Sequence, residues 1–276
     1  MRLQNKLFEL SNTGRALLAT NFYNFETLSG ILQAAQTKNT PIILQLSESS
    51  IQYMGLDVAV NLARTELKNY RLQGWLHLDH GSSIDLIHRC LDVGFDSVMI
   101  DASEKSFEEN VRLTKVVVKL AEVYQANVEA ELGHVAKLGQ QQNSNQYTQP
   151  KEAKRFVEET GVHALAIAIG SAHGFYKDPP KLQLDLLSSI HNATVAALVL
   201  HGSSGIPNDQ LTEAIKRGIS KVNLATETKN VFMKKLQDVL RDTKEIDLRK
   251  VFPTATESVK KLIANKLDII SLIQHV

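Results

Sequence analysis

Cysteine is all but missing. Cys90 is the single one in 276 residues, so no internal disulfide can staple the chain, and a reduced, cytoplasmic setting is the expectation. Proline (6) and glycine (14) are too sparse for a collagen-like or linker-rich chain. With 43% hydrophobic and 22% charged residues, the composition also argues against disorder. Neither sign of charge dominates: 31 Lys plus Arg face 30 Asp plus Glu, a formal net charge of +1. No overall field therefore marks nucleic acid or an anionic membrane as partner, and any anion must be caught locally. The opening residues MRLQNKLFELSNTGRALLATNF lack the long apolar run of a signal peptide or membrane anchor.

What is present is a rhythm. Short runs rich in Val, Ile and Leu recur at 16–22, 41–47, 75–80, 97–103, 127–133, 164–170, 197–202 and 221–227, separated by longer segments of helical period such as FEENVRLTKVVVKLAEVYQ. Eight βα units predict a (β/α)₈ TIM barrel, an α/β fold whose usual length of about 250 residues matches one domain spanning 1–276. A doubly wound open sheet would share the alternation, but its GxGxxG after the first strand is absent. Two segments break the rhythm. Residues 134–149, HVAKLGQQQNSNQYTQ, exceed the usual βα connection and read as an active-site loop, and residues 236–276 read as a C-terminal helical extension that caps the barrel or meets another subunit.

Barrel enzymes place their chemistry at the C-terminal strand ends, whereas strand centres are apolar. At those ends stand Asp79, His80, Asp101, Glu129, Glu131, His173, His201 and the run Asn223 to Glu227. A lone histidine is more often a hydrogen-bonded structural residue than a ligand. Three arriving at one rim, His80, His173 and His201, can present three imidazoles to a divalent ion and leave a position open, as a catalytic zinc site requires. Of the others, His88, His163, His191 and His275 read as solvated or capping residues, His77 as packed behind a ligand, and His134 sits at the root of the long loop. HGSSG at 201–205 and NLAT at 223–226 supply small residues and hydroxyls after strands seven and eight, where barrels often hold phosphate.

LDHGSS (78–83), VMIDAS (98–103), VEAELG (128–133), AIGSAHGFY (168–176), LHGSSGIP (200–207) and KVNLATE (221–227) together resemble the class II sugar-bisphosphate aldolases, in order and through nearly the whole chain. The resemblance implies a zinc-dependent lyase of carbohydrate metabolism (glycolysis). It would cleave a fructose- or tagatose-type ketose 1,6-bisphosphate reversibly to dihydroxyacetone phosphate and glyceraldehyde 3-phosphate. It implies His80, His173 and His201 as metal ligands, Asp79 as the acid/base residue, and Asp101 and Glu131 as carboxylates of an alternative metal position. Gly174, Gly202, Ser203, Ser204, Asn223, Leu224, Ala225 and Thr226 would hold dihydroxyacetone phosphate, with a monovalent cation near the phosphate, in a homodimer or homotetramer. Ala225 is closer to the tagatose-type members, whereas SESSIQYMG (47–55) is closer to the short fructose-type ones.

The residues account for such chemistry on their own terms. A metal can stabilise the charge left next to a ketone when a carbon–carbon bond breaks, and Asp79 can take the proton of the departing hydroxyl. A carboxylate beside a cation stays ionised at neutral pH. Because successive strand residues face opposite sides, Asp79 and His80 reach one site only if the strand ends or bulges there. The sequence departs from the family after strand five. From Leu132 to Lys151 there is no Asp or Glu, where the family carries a glycine pair and an acidic cluster with a proton-exchanging Glu. His134 could substitute or be only a loop-root histidine. The alternative to an active aldolase is an accessory or binding subunit that keeps the metal and phosphate sites. A minor third reading is an aldolase for a monophosphate ketose.

Overall fold

Side-chain parity along the strands organises the molecule. In the computed structural model, which describes residues 1–135, 147–176, 178 and 180–271, eight parallel strands close in sequence order into a barrel. In chain order the elements are α1 (Leu3–Ser11), β1 (Leu17–Asn21), α2 (Phe25–Thr37), β2 (Ile42–Ser47), α3 (Glu48–Met54), α4 (Leu56–Asn69) and β3 (Gly74–Gly81). There follow α5 (Ile84–Asp92), β4 (Ser97–Ile100), α6 (Phe107–Tyr124), β5 (Asn127–Leu132), α7 (Pro150–Thr160) and β6 (Ala164–Ile167). The chain continues through α8 (Leu184–Ala193), β7 (Ala197–Leu200), α9 (Asn208–Lys216), β8 (Ile219–Leu224), α10 (Thr226–Asp242) and α11 (Leu248–Ser271).

Alternate residues of each strand join two separate apolar clusters. Leu18, Leu44, Leu76, Val98, Val128, Leu165 and Leu198 face outward to the helices, whereas Leu17, Ala19, Ile43, Trp75, Ala164, Ala166, Ala197 and Val199 fill the lower barrel. This is the period of two expected of a strand, with both faces buried because helices cover the outside. The inner cluster is completed by Leu3, Leu7 and Leu10 of α1, which plugs the N-terminal mouth. The sequence reading had no role for that helix. Above the apolar layer the inward positions turn polar, with Gln45, His77, Ser97, Asn127, Glu129 and Lys221 all buried.

Serines and an asparagine start several of the outer helices. Asn24 and Thr27 form a reciprocal capping box on α2, and the hydroxyls of Ser47, Ser83 and Ser106 accept amide hydrogens at the first turns of α3, α5 and α6. The eighth strand ends earlier than its apolar pattern implied. Thr226 and Glu227 already belong to α10, so the helical extension begins at Thr226 and not near residue 236. Nor does it cap the barrel. α11 packs along α2 and α10 on the side of the barrel, so closely that a Cβ on Gly30 would stand 2.7 Å from the Thr256 carbonyl oxygen. Most of the long loop after β5, at 136–146, lies outside the described residues.

Candidate functional site

Parity brings Asp79 inward on β3 and would turn His80 outward. The pairing with β4 shifts register between Leu78 and Gly81, and His80 adopts φ +52°. That left-handed backbone is rare for a residue with a side chain, and here it swings the imidazole back over the barrel mouth. Gly81 makes the bulge possible, because a Cβ there would lie 2.6 Å from the Met99 carbonyl oxygen. The expected irregularity is therefore present. His173, on the segment after β6, and His201, just past β7, complete the group. Their ring centroids lie 5.0 Å (His80 to His173), 4.8 Å (His80 to His201) and 5.8 Å (His173 to His201) apart.

The donor set fits a divalent ion. One ligand atom each from His80, Glu131, His173 and His201 falls within 4.8 Å of the others. Among the described residues, buried Glu131 Oε2 has no hydrogen-bond partner, and His201 Nδ1 lies 3.1 Å from His80 Nε2 and 3.8 Å from that oxygen. Burial raises the Glu131 pKa, as befits a carboxylate waiting for a counter-charge. Asp101, by contrast, stands behind His80: its Oδ2 is 2.6 Å from His80 Nδ1 and its Oδ1 accepts from the Ser103 hydroxyl and amide. Of the two carboxylates expected at an alternative metal position, the geometry brings Glu131 into the donor set and uses Asp101 to orient an imidazole, as a metal ligand's other nitrogen usually requires.

Charges converge on the same point. Burial alone would lower the His80 pKa, but the hydrogen bond it donates to Asp101 and the negative charge of Asp79 lift it to about 9. Burial raises the Asp79 carboxyl, but the His80 and His201 charges and a hydrogen bond from Asn21 bring it down to about 2. His173 falls to about 3, through burial and the neighbouring imidazoles. The site thus calls for positive charge at its centre, which a proton or a metal ion can supply, beside an ionised Asp79. Asn21 Nδ2 donates to Asp79 Oδ2 at 3.0 Å and Gln45 Nε2 reaches Oδ1 at 3.4 Å.

Beneath the histidines lies a buried ionic network. His201 Nε2 is 2.9 Å from Glu129 Oε1, and Glu129 Oε2 accepts from Lys221 Nζ at 2.7 Å. Lys221 also donates to His77 Nε2 at 3.2 Å, and His77 Nδ1 is 2.7 Å from Ser97 Oγ. Burial and the Lys221 charge drive the His77 pKa down to about 3, so it is neutral, while the Lys221 charge and the hydrogen bond from His201 help to outweigh burial and hold Glu129 well below the usual carboxylate range. His77 is packed in the layer beneath the three imidazoles. Lys221, Asn21 and Gln45 were missed by the sequence reading. The signal was there, because each is a polar residue at an inward position of an otherwise apolar strand.

The proposed phosphate residues divide. Gly174, Gly202, Ser204, Asn223, Ala225 and Thr226 line one small cavity with Asn21, Asp79, His80, His173 and His201. Ser203 instead donates its hydroxyl to the Asn223 carbonyl at 2.6 Å, and Leu224 packs in the outer core. Gly202 has φ +67°, and a Cβ there would meet the Ala172 carbonyl oxygen at 2.3 Å. Tyr176 ties the two loops, its hydroxyl accepting from the Ala172 amide (2.7 Å) and donating to the Gly202 carbonyl (2.8 Å). A wider cleft of about 650 Å³ opens alongside, lined by Ser47, Ser82, Asp101, Glu131 and His134 among others.

His88, His163 and His191 line neither of these cavities. His88 is exposed beside Asp92, and His163 Nδ1 accepts the Val128 amide at 2.9 Å, a cap on β5. His191 departs from expectation: its Nδ1 is buried, and a Cβ on Gly218 would stand 2.5 Å from it. His275 lies outside the described residues.

Comparison with known proteins agrees with this geometry. The family model described as "Fructose-bisphosphate aldolase class-II" matches residues 2–274. A fructose-bisphosphate aldolase of Staphylococcus aureus is 40% identical over 273 residues, covering 96% of this chain and 95% of the relative. One of Helicobacter pylori is 36% identical over 293 residues, with the same coverage. Among solved structures, the YdjI aldolase of Escherichia coli K12 superposes with a TM-score of 0.86 at 29% identity, over 97% of this chain and 96% of that one.

Proposed function

Because the chain belongs to the class II fructose-bisphosphate aldolase family, carbon–carbon lyases that depend on a metal ion, we propose that it cleaves a ketose 1,6-bisphosphate of the fructose or tagatose type reversibly to dihydroxyacetone phosphate and glyceraldehyde 3-phosphate. The ion in this reading is zinc, held by His80, His173 and His201 with Glu131 at hand. Bound there, it supplies Lewis-acid polarisation of the ketone carbonyl. The observation that carries the reading is the convergence of three imidazoles beside an ionised, doubly hydrogen-bonded Asp79.

Asp79 accepts the proton of the C4 hydroxyl as the C3–C4 bond breaks, and returns it when the bond re-forms. Its pKa of about 2 keeps it a base throughout the neutral range, and Asn21 and Gln45 fix its orientation. Gly202, Ser204, Asn223 and Thr226 bind the donor phosphate in the adjoining cavity. No loop carboxylate is available between Leu132 and Lys151 to exchange the proton at the donor carbon, so another group does so, and His134 at the cleft wall is the candidate. The protein works in the cytoplasm as a homodimer or homotetramer, and the exposed Met233 and Leu240 on α10, Ile246 after it and Leu248 at the start of α11 support the oligomer.

The experiment is a coupled cleavage assay of zinc-loaded protein against fructose and tagatose 1,6-bisphosphates side by side. Cleavage of either supports the proposal, and the faster one identifies the substrate. Intact zinc binding with no turnover of either would replace it with the accessory-subunit reading.

A further inference from the structure

We propose that Lys266, on the C-terminal helix and 39 residues beyond its contact, is a positioning residue for the phosphate-holding loop after β7, acting through Glu227. The inference rests on reading that loop as the donor phosphate's site.

Lys266 lies on the buried face of α11. The core-facing residues of that helix are Val259, Ile263, Leu267 and Ile270, at three- and four-residue intervals, and Lys266 belongs to the same stripe with 8% exposure. A lysine is rarely buried so far unless it is paired. Its Nζ lies 3.2 Å from Glu227 Oε1 and 3.1 Å from Oε2. Glu227 stands in the first turn of α10 and holds the loop twice: Oε1 accepts the Gly205 amide at 2.6 Å, and its own amide donates to Ser204 Oγ at 3.2 Å. From the opposite side Tyr176 holds the Gly202 carbonyl.

The loop that lines the phosphate cavity is thus clamped between Tyr176 and Glu227. Glu227 brings a difficulty with it, since a carboxylate beside a bound phosphate dianion is the wrong charge in a partly desolvated place. Lys266 answers both needs. It cancels the Glu227 charge and keeps the carboxylate turned toward the Gly205 amide. Packing alone would be served by leucine or methionine at 266, so the ammonium is there for Glu227.

The test uses the full zinc-loaded chain with Lys266→Met, Lys266→Arg and Lys266→Met/Glu227→Gln. Dihydroxyacetone phosphate and inorganic phosphate are titrated by calorimetry, and cleavage kinetics are run in parallel. Lys266→Met is expected to weaken dihydroxyacetone phosphate binding about tenfold, equivalent to about 1.4 kcal/mol. It should raise KM by a similar factor and leave kcat within about twofold, the pattern of lost uniform binding. Lys266→Arg should restore most of the affinity, and the double variant part of it. A role confined to packing would change the melting temperature and leave both binding constants alone. Wild-type binding in Lys266→Met, or an Arg variant as weak as the Met one, overturns the proposal, as does a wild-type protein that binds neither phosphate. Wild-type binding of dihydroxyacetone phosphate without cleavage of either bisphosphate would instead sink the aldolase reading, and the calorimetric series would still decide the role of Lys266.

Discussion

Asp79 and His80 are consecutive residues of one strand, yet both reach the same side of it, with Asp79 Oδ1 4.0 Å from His80 Nε2. The bulge with φ +52° at His80 is what sets this carboxylate beside an imidazole of the donor set. The first prediction concerns that pair. Asp79→Ala should lower kcat by about 10²- to 10⁴-fold, the usual share of a general base, while zinc content by elemental analysis stays at the wild-type value. Unchanged turnover would remove Asp79 from the reaction.

Chelation provides the second. Dialysis against EDTA should abolish cleavage, and zinc should restore it. Zinc should also raise the melting temperature, since a ligand of the folded state at a hundred times its Kd adds about 2.7 kcal/mol. Activity that survives chelation would exclude the metal from the mechanism.

Gly202→Ala isolates the phosphate loop. The glycine has φ +67° and lies against the Ala172 carbonyl, so a methyl group must push the loops after β6 and β7 apart. KM for the bisphosphate should rise at least about tenfold, since the amides and hydroxyls that hold it move together. Steady-state kinetics beside a circular-dichroism check of folding would test this.

The buried ionic network predicts a stability effect. Lys221→Met takes the ammonium away from ionised Glu129 Oε2 in a fully buried layer, a change that typically costs about 3–5 kcal/mol. Adding Glu129→Gln should recover part of the loss. Urea unfolding of both single variants and the double variant would measure it, and a double-variant loss equal to the sum of the two single losses would show the pair to be uncoupled.

Acid should expose the same network. The folded pKa of Glu129 is depressed below its ordinary 4.5, because the Lys221 charge and the hydrogen bond from His201 help to outweigh burial. Its contribution to stability is therefore fully present above about pH 4.5 and is lost as pH falls from there through the folded pKa. For metal-free protein, the gap in melting temperature between wild type and Glu129→Gln should narrow below pH 4.5. A gap constant down to pH 3 would contradict the ionised assignment.

The barrel and its rim were largely legible before any coordinates. Eight apolar runs at regular spacing foretold eight strands, and the polar residues at their C-terminal ends, Asp79, His173, His201 and Asn223 among them, lie at one mouth. Boundaries were less legible where one period gives way to another. NLATE continues the apolar pattern of β8, but Thr226 already starts α10, and α1 looked like unremarkable N-terminal sequence because its apolar stripe has meaning only against the open bottom of a barrel. Asp101 could not be distinguished from Glu131 by sequence. Both are acids at strand ends, and only the positions of neighbouring strands show one behind His80 and the other facing the ion site.

The sequence by itself determined the strands, their two faces and the residue types at the rim, because side-chain alternation is a local property of an extended chain. Only the tertiary structure decided how those residues act together. The turn of His80 into the site depends on register with β4, the Glu129–Lys221 pair on barrel closure, and the Lys266–Glu227 contact on a helix returning from the chain's far end. Each joins residues far apart in sequence, and their distances are set by packing rather than by any local period.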